Sequence, residues 1–210
     1  MKKYKRVIFL RHGESFDDLY KEFGGWSDRK PTKNGYNLTV KIADEFKLKY
    51  ADLVGIYASP LKRALYFAKK LGRELKLSVE TSVFLKERNT YGLLNGLNYE
   101  YAREKYPDLV KLFDNQEFIP GSERYDDFID RVGLLMDWVK GLNFEGTIVC
   151  VTQGYLMTTI LEEFLGKTRD SLSHGSYFVC EIKGNKLVLN ESVGITYLER
   201  EKGGHRKFKN

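Results

Sequence analysis

Residues 5–15 read KRVIFLRHGES, and the rest of the chain arranges itself around this segment. Lys5 to Leu10 is a short apolar run with β-branched members that stops at Arg11-His12-Gly13. A run this short and evenly apolar reads as a strand buried on both faces, the pattern of a parallel sheet. Arg11 and His12 then fall at its carboxyl end, where open α/β sheets collect their ligands.

Outward from this segment, strand and helix patterns alternate. Residues 16–31 contain Gly24 and Gly25 and read as a loop. Tyr36, Val40, Ala43, Phe46 and Tyr50 follow helical spacing. Val54–Ala58 predicts a second strand, after which Ser59-Pro60 offers a cap residue followed by proline at the first helical position. Leu61, Ala64, Leu65, Ala68, Leu71 and Leu75 line one face of that helix. Leu77–Phe84 predicts a third strand, and residues 91–98, rich in Gly and Asn, a loop. Helical spacing covers 99–114, interrupted at Pro107, and recurs from Phe128 to Val139. Thr147–Val151 reads as a fourth strand, followed by a helix from Tyr155 to Leu165 that Gly166 stops. Tyr177–Ile182 and Lys186–Asn190 form a hairpin signal around Gly184-Asn185. The alternation predicts an α/β fold, a three-layer sandwich whose mostly parallel central sheet carries helices on both faces. With no repeat and no interdomain linker, residues 1–198 are expected as one domain and 199–210 as a basic, flexible tail.

At 210 residues the chain can bury a substantial core, and 42% hydrophobic with 14% aromatic residues is the composition of a folded protein. Its formal net charge of +6 suits an anionic partner. Much of that excess sits in two ends, Lys2 to Arg6 and Lys202 to Lys209, which read as solvated runs, so nucleic acid is not the expected partner. Cys150 and Cys180 lie inside apolar strand runs, with neither metal-ligand spacing nor a disulfide framework, and read as buried thiols of a reducing compartment. No apolar stretch approaches membrane-spanning length and the N-terminus has no leader-like apolar core, so a cytoplasmic protein without membrane partners is expected.

The strand ends carry the chemistry. The first delivers Arg11, His12 and Gly13; the second Ser59, with Arg63 one helical turn on; the third runs toward Glu87 and Arg88; the fourth delivers Thr152, Gln153 and Gly154 at a helix N-terminus. Each has a bland reading, since a lone histidine is more often a satisfied polar residue and Glu87 can be half of a trivial ion pair with Arg88. Those readings leave unexplained why four strand ends each present a group useful to a phosphate. Two arginines, a histidine, a carboxylate and a helix N-terminus on one rim make a phosphate site with a nucleophile and an acid in it.

LRHGES at 10–15 resembles the signature of the histidine phosphatase superfamily, which includes cofactor-dependent phosphoglycerate mutases. SPLKRA at 59–64 is similar to its second arginine motif, and TKNG at 32–35 fits as well. LKERNTYGLLNGLN at 85–98 resembles the segment carrying the family's acid, with one residue more than the commonest spacing. PGSERYDDFIDRV at 120–132 resembles a helix start of the family, with Ser122 and Arg124 departing from the usual small residues. The resemblance implies a phosphoglycerate mutase-like fold and, for the site, His12 as phosphate-accepting nucleophile, Arg11 and Arg63 as clamps on the nonbridging oxygens, and Glu87 as general acid and base. Asp18, Gly24, Gly25, Tyr91, Gln153 and Gly154 complete the implied binding set. Arginines neutralise the equatorial oxygens of a phosphoryl group without a metal, so neither metal nor other cofactor is expected.

One position departs from the family. Its second histidine sits in a T/S-H-G motif, and this chain reads Thr152-Gln153-Gly154. Glutamine can still donate a hydrogen bond but cannot carry positive charge, and losing one preorganised donor costs about 10²–10³ in rate. A natural enzyme of retuned activity, a phospho-ligand-binding pseudoenzyme and an engineered substitution all fit the sequence. His174 is a second imidazole that can approach the same rim. Hydrolysis of small phosphorylated substrates is preferred over mutase activity, because mutases carry a longer insertion with an adjacent arginine pair. Here Tyr99–Pro120 is short and holds only Arg103, Lys105 and Lys111; Asp18 and Gly24 also replace an asparagine and a threonine of the mutases.

Overall fold

The computed structural model describes residues 4–198; the expected tail, 199–210, lies outside them. In chain order the elements are β1 (Lys5–Arg11), α1 (Phe16–Leu19), α2 (Lys33–Lys49), β2 (Leu53–Ala58), α3 (Lys62–Leu75), β3 (Val79–Thr81), α4 (Tyr99–Lys105), α5 (Pro107–Asp114), α6 (Tyr125–Gly141), β4 (Gly146–Thr152), α7 (Gly154–Thr159), β5 (Arg169–Lys183) and β6 (Lys186–Tyr197). The six strands form one sheet in the order β3-β2-β4-β1-β5-β6. β3, β2, β4 and β1 run parallel, and the β5–β6 hairpin adds two antiparallel strands at the other edge. The sheet is therefore mixed, with the expected parallel part at its centre.

Successive side chains of a strand point to opposite faces, and β1 uses both. Val7 and Phe9 enter one core with β4, α6 and α7, where Phe9 stacks on Phe178 at 5.1 Å between ring centres. Ile8 and Leu10 enter the other, with α2 and α3. Burial on both faces explains why the KRVIFL run shows no alternation. It also makes β1 the axis of a three-layer molecule, with His12 at its end.

Several local expectations shift, each for a physical reason. Ser59-Pro60 does not open α3: the Ser59 N–H still bonds to Val151 O, prolonging the sheet, and the helix begins two residues later with Leu61 at its N-cap. β3 shrinks to three residues because it pairs only with β2, and that pairing ends at Ala58 with Thr81; Phe84 instead falls in a 3-10 turn, Val83–Leu85. The 16–31 loop contains α1, where the Ser15 N–H and hydroxyl both donate to Asp18. The helix expected over 155–165 is α-helical only to Thr159 and π-helical over Ile160–Phe164. Thr158 and Thr159 donate their hydroxyls to the carbonyls of Gly154 and Tyr155, a back-bonding that competes with the regular ladder. The hairpin turns at Gly184-Asn185 as expected but is far longer, with register shifts between Leu172 and Tyr177. That irregularity brings residues 172–175 back toward β1, where the Gly175 N–H meets His12 O at 3.4 Å.

Candidate active site

A cleft of about 470 Å³ opens at the carboxyl ends of the parallel strands, and every residue of the expected set except Gln153 lines it. His12 sits at its floor, 4% exposed. Its Nδ1 lies 2.6 Å from Gly13 O, which can only accept, and its Nε2 lies 3.2 Å from Arg63 Nε, which can only donate. Both contacts demand the same tautomer, with the proton on Nδ1 and a lone pair on Nε2. Burial, then the charges of Arg63 and Arg11, lower the His12 pKa well below its ordinary value, so the imidazole is neutral.

The close approach of backbone segments holds this arrangement. A side chain on Gly13 would meet the Gly35 backbone at 2.8–2.9 Å, and one on Gly35 would meet Glu14 O at 2.2 Å. The TKNG segment is thus a packing requirement of the His12 loop, with Thr32 capping α2 through the Gly35 N–H. Gly25 has φ +36°, and a Cβ there would meet Asn95 Oδ1 at 2.3 Å. Its carbonyl accepts from Arg63 Nη2, and Ser27 O accepts from Nη1, both at 2.6 Å. Arg63, implied as a clamp on the anion, therefore spends three donors inside the protein, binding the 24–27 loop to the histidine. Asp17 Oδ2 lies 3.6 Å from the same guanidinium, and Gly24 packs against that carboxylate.

Arg11 donates Nη1 to Leu172 O and packs its guanidinium against Gly154, while its Nε is buried without a hydrogen-bond partner. Burial lowers its pKa, and the like charges of Arg169 and Arg63 act in the same direction, against Asp18 and Glu87. Glu87 makes no ion pair with Arg88. Its carboxylate accepts the N–H groups of Arg88, Leu156 and Tyr155 at 2.9–3.0 Å. The helix N-terminus expected to hold a phosphate thus holds the carboxylate and fixes where it enters the cleft. Trp26 closes over the same segment, donating Nε1 to Glu87 O at 2.7 Å. Tyr91 lines the cleft with its phenol pushed up to about 12 by burial, hence protonated near neutral pH.

Gln153 does not face the cleft. It is 1% exposed, donates Nε2 to Ser59 Oγ at 2.9 Å and accepts from Thr152 Oγ1, so its amide is used in joining the ends of β2 and β4. His174 lies beside His12, its ring centre 6.2 Å from that of His12 and its Nε2 3.3 Å from Asp18 Oδ2. Burial acts to raise the Asp18 pKa, but the His174 and Ser15 contacts outweigh it and hold the carboxyl below the usual range. Sequence reading passed over Asp17, Lys21, Glu22, Tyr155, Thr158 and Arg169, which also line the cleft. Arg169 lies in a Lys-Thr-Arg stretch with no motif around it; only the proline-free run from Gly166 into the hairpin hinted that it starts a strand.

This geometry has counterparts. A probable phosphatase of Schizosaccharomyces pombe is 26% identical over 200 residues, covering 86% of this chain and 67% of that protein. A 2,3-bisphosphoglycerate-dependent phosphoglycerate mutase of Buchnera aphidicola subsp. Cinara cedri (strain Cc) is 41% identical over 110 residues, 50% of this chain and 47% of the mutase. The match thus spans about half the length of such mutases. The crystal structure of a phosphoglycerate mutase from Bacillus anthracis str. Sterne superposes with a TM-score of 0.72 at 19% identity, covering 91% of this chain and 93% of that one. A sequence profile of the histidine phosphatase superfamily (branch 1) matches residues 7–191, from β1 through the first half of β6. The buried imidazole, the arginines around it and the carboxylate on a helix N-terminus stand within that match, and the chain belongs to the histidine phosphatase superfamily.

Proposed function

We propose that the chain hydrolyses small phosphate monoesters through a phosphohistidine at His12. The observation that carries this reading is the His12 imidazole itself: buried, neutral, with its Nδ1 proton held by Gly13 O and its Nε2 lone pair beside Arg63 at the cleft floor. Nε2 attacks phosphorus in line, the P–N bond forms and the ester P–O bond breaks. Arg11 and the remaining donors of Arg63 neutralise the equatorial oxygens. The Glu87 carboxyl gives its proton to the departing alkoxide. Water then attacks the phosphohistidine, Glu87 takes the proton back, the P–N bond breaks and phosphate leaves.

Hydrolysis is preferred to mutase activity on one feature of the cleft. Arg103, Lys105 and Lys111 are absent from its lining, and Arg103 is engaged with Asp114 at 3.0–3.2 Å. A phospho-ligand binder with little turnover is the second reading, favoured by the engagement of Gln153 with Ser59. The test is turnover of 4-nitrophenyl phosphate, with base-stable phosphohistidine sought after rapid quench. His12→Ala should abolish both turnover and the trapped phosphoenzyme. Activity surviving in that variant removes His12 from the mechanism; absence of turnover in the wild type, with phosphate still bound, selects the binder.

A further inference from the structure

One face of α7 gathers more positive charge than a single phosphate needs. Gly154, Tyr155 and Thr158 of this helix all line the cleft, and each fixes an arginine from a different part of the chain. The Arg11 guanidinium packs on Gly154. Arg88 Nη1 donates to Tyr155 Oη at 3.0 Å, and the guanidinium also lies over the rings of Tyr125 and Tyr155 at 5.1 and 5.4 Å. Arg169, the first residue of β5, donates Nε to Thr158 Oγ1 at 2.6 Å.

None of the three makes an ion pair among the described residues; Glu162 lies close enough to Arg169 to attract it, and the other acids around them are already engaged. Asp17 lies against Arg63, Glu22 is held bidentately by Arg29, Asp18 faces His174, and Glu87 takes three backbone N–H groups. Arg88 Nε, like Arg11 Nε, is buried with no hydrogen-bond partner. Glu87, bonded to the start of the same helix, offsets part of the Arg11 charge, and an added anion relieves the repulsion that remains among the three guanidinium groups. One phosphate at His12 engages Arg11. Arg88, tethered at the next residue of the helix, and Arg169, tethered one turn further along it, remain.

We propose that Arg169, together with Arg88, forms a second anion subsite, so that the preferred substrate is a phosphate ester carrying another anionic group. This rests on the phosphatase reading for where the first phosphate sits. The tethers at Thr158 and Tyr155 preorganise both arginines before a ligand arrives, which lowers the ordering cost of binding. Of the possible groups a carboxylate fits best, because the planar fork of arginine matches it in a bidentate contact. Arg169 is then the specificity-determining residue, and it comes from the sheet hairpin rather than from the 99–120 segment.

Phosphonates test this without turnover, since their C–P bond is not hydrolysed. Titration calorimetry would compare 3-phosphonopropanoate, propane-1,3-diphosphonate and propylphosphonate, which share one chain length and differ at the far end. The wild-type protein should bind 3-phosphonopropanoate about tenfold more tightly than propylphosphonate. Arg169→Met should shrink that gap to under about threefold while leaving propylphosphonate nearly unchanged. Arg88→Met gives a second, independent readout of the same gap should the first variant misfold. A diphosphonate preference that depends on Arg169 supports the subsite with phosphate as its occupant. Equal binding of the three ligands, or a preference that survives both substitutions, overturns it. Turnover of 4-nitrophenyl phosphate, measured alongside, separates the two ideas: hydrolysis without any preference sinks only the subsite, and preference without hydrolysis sinks only the phosphatase.

Discussion

His12 shows how far single contacts determine chemistry. A nucleophilic imidazole needs its attacking nitrogen unprotonated and its other nitrogen protonated, and Gly13 O and Arg63 Nε impose that state before any ligand arrives. The same burial has a consequence for stability. The folded pKa lies well below the unfolded value of about 6.5, so below that pH the unfolded chain takes up a proton that the folded one refuses. Stability therefore falls with falling pH, by up to about 1.4 kcal/mol per unit. Asp18, whose pKa is also depressed, contributes stability that is lost only in the more acidic range below the usual carboxylate pKa; burial raises the Glu162 pKa, which acts in the opposite direction, so the comparison of wild type with a His12 variant between pH 7 and 5 isolates the histidine. Urea midpoints of the wild type should drop more steeply across that window than those of His12→Asn; parallel curves would contradict a buried neutral imidazole. Gln153 makes the opposite case, a residue legible by position but not by direction. The strand and helix flanking it are where the sequence puts them, yet its amide turns to Ser59 Oγ, a pairing between two strand ends that no local pattern reveals. Restoring the family's imidazole with Gln153→His should raise kcat for an aryl phosphate by about 10–100-fold. Equal rates would mean that residue 153 lies outside the transition-state contacts.

Among the elements, α6 supports the cleft without lining it. Arg131 holds Glu123 through two contacts of 2.9 Å and donates to the carbonyls of Phe84, Lys86 and Glu87 at 2.7–3.2 Å. The segment that delivers Glu87 is thus strapped from behind by one helix residue and from the front by Trp26. Arg131→Met leaves Glu123 largely buried without its partner and frees three carbonyls, and should cost about 3 kcal/mol by urea unfolding. If the strap positions the carboxylate, kcat should fall in the same variant while KM changes little; unchanged kcat would reduce Arg131 to a stabilising role. Periodicity predicted α6, and the motif at 120–132 includes Arg131, but the strap joins segments more than forty residues apart and is invisible to spacing. The same holds for α7. Its start was legible from β4, whereas the capture of Glu87 by its N–H groups depends on a carboxylate that reaches it from the far side of β2. Sequence reading thus found elements and strand ends well, because burial on two faces imposes a local pattern. It found partners poorly, because these are set by the order of strands in the sheet.

Among the described residues, three cores of unequal size hold the fold together. The two flanking the sheet contain sixteen buried residues each, whereas the one beneath the 91–119 segment has five, around Phe23, Leu94, Ala102, Val110 and Ile119. Phe23 is its centre, with ring contacts to Tyr99, Phe113 and Tyr91 at 4.6, 5.2 and 5.3 Å. Regions with few buried apolar contacts open at lower free energy than the body they rest on. This small core carries one wall of the cleft through Gly24, Tyr91 and Tyr99, while His12 and Arg11 extend from a strand whose Val7 to Leu10 are fully buried. The site therefore joins a rigid floor to a looser wall, which suits a cleft that opens to admit a ligand and closes around it. Backbone amides of residues 94–113 should exchange with deuterium faster than those of β1 and β4. Orthovanadate, bound at the floor, should slow exchange in 94–113 as the wall closes on it. Uniform protection in the free protein would show that the small core is as stable as the sheet. Slowing confined to β1 would show that the wall takes no part in holding the anion.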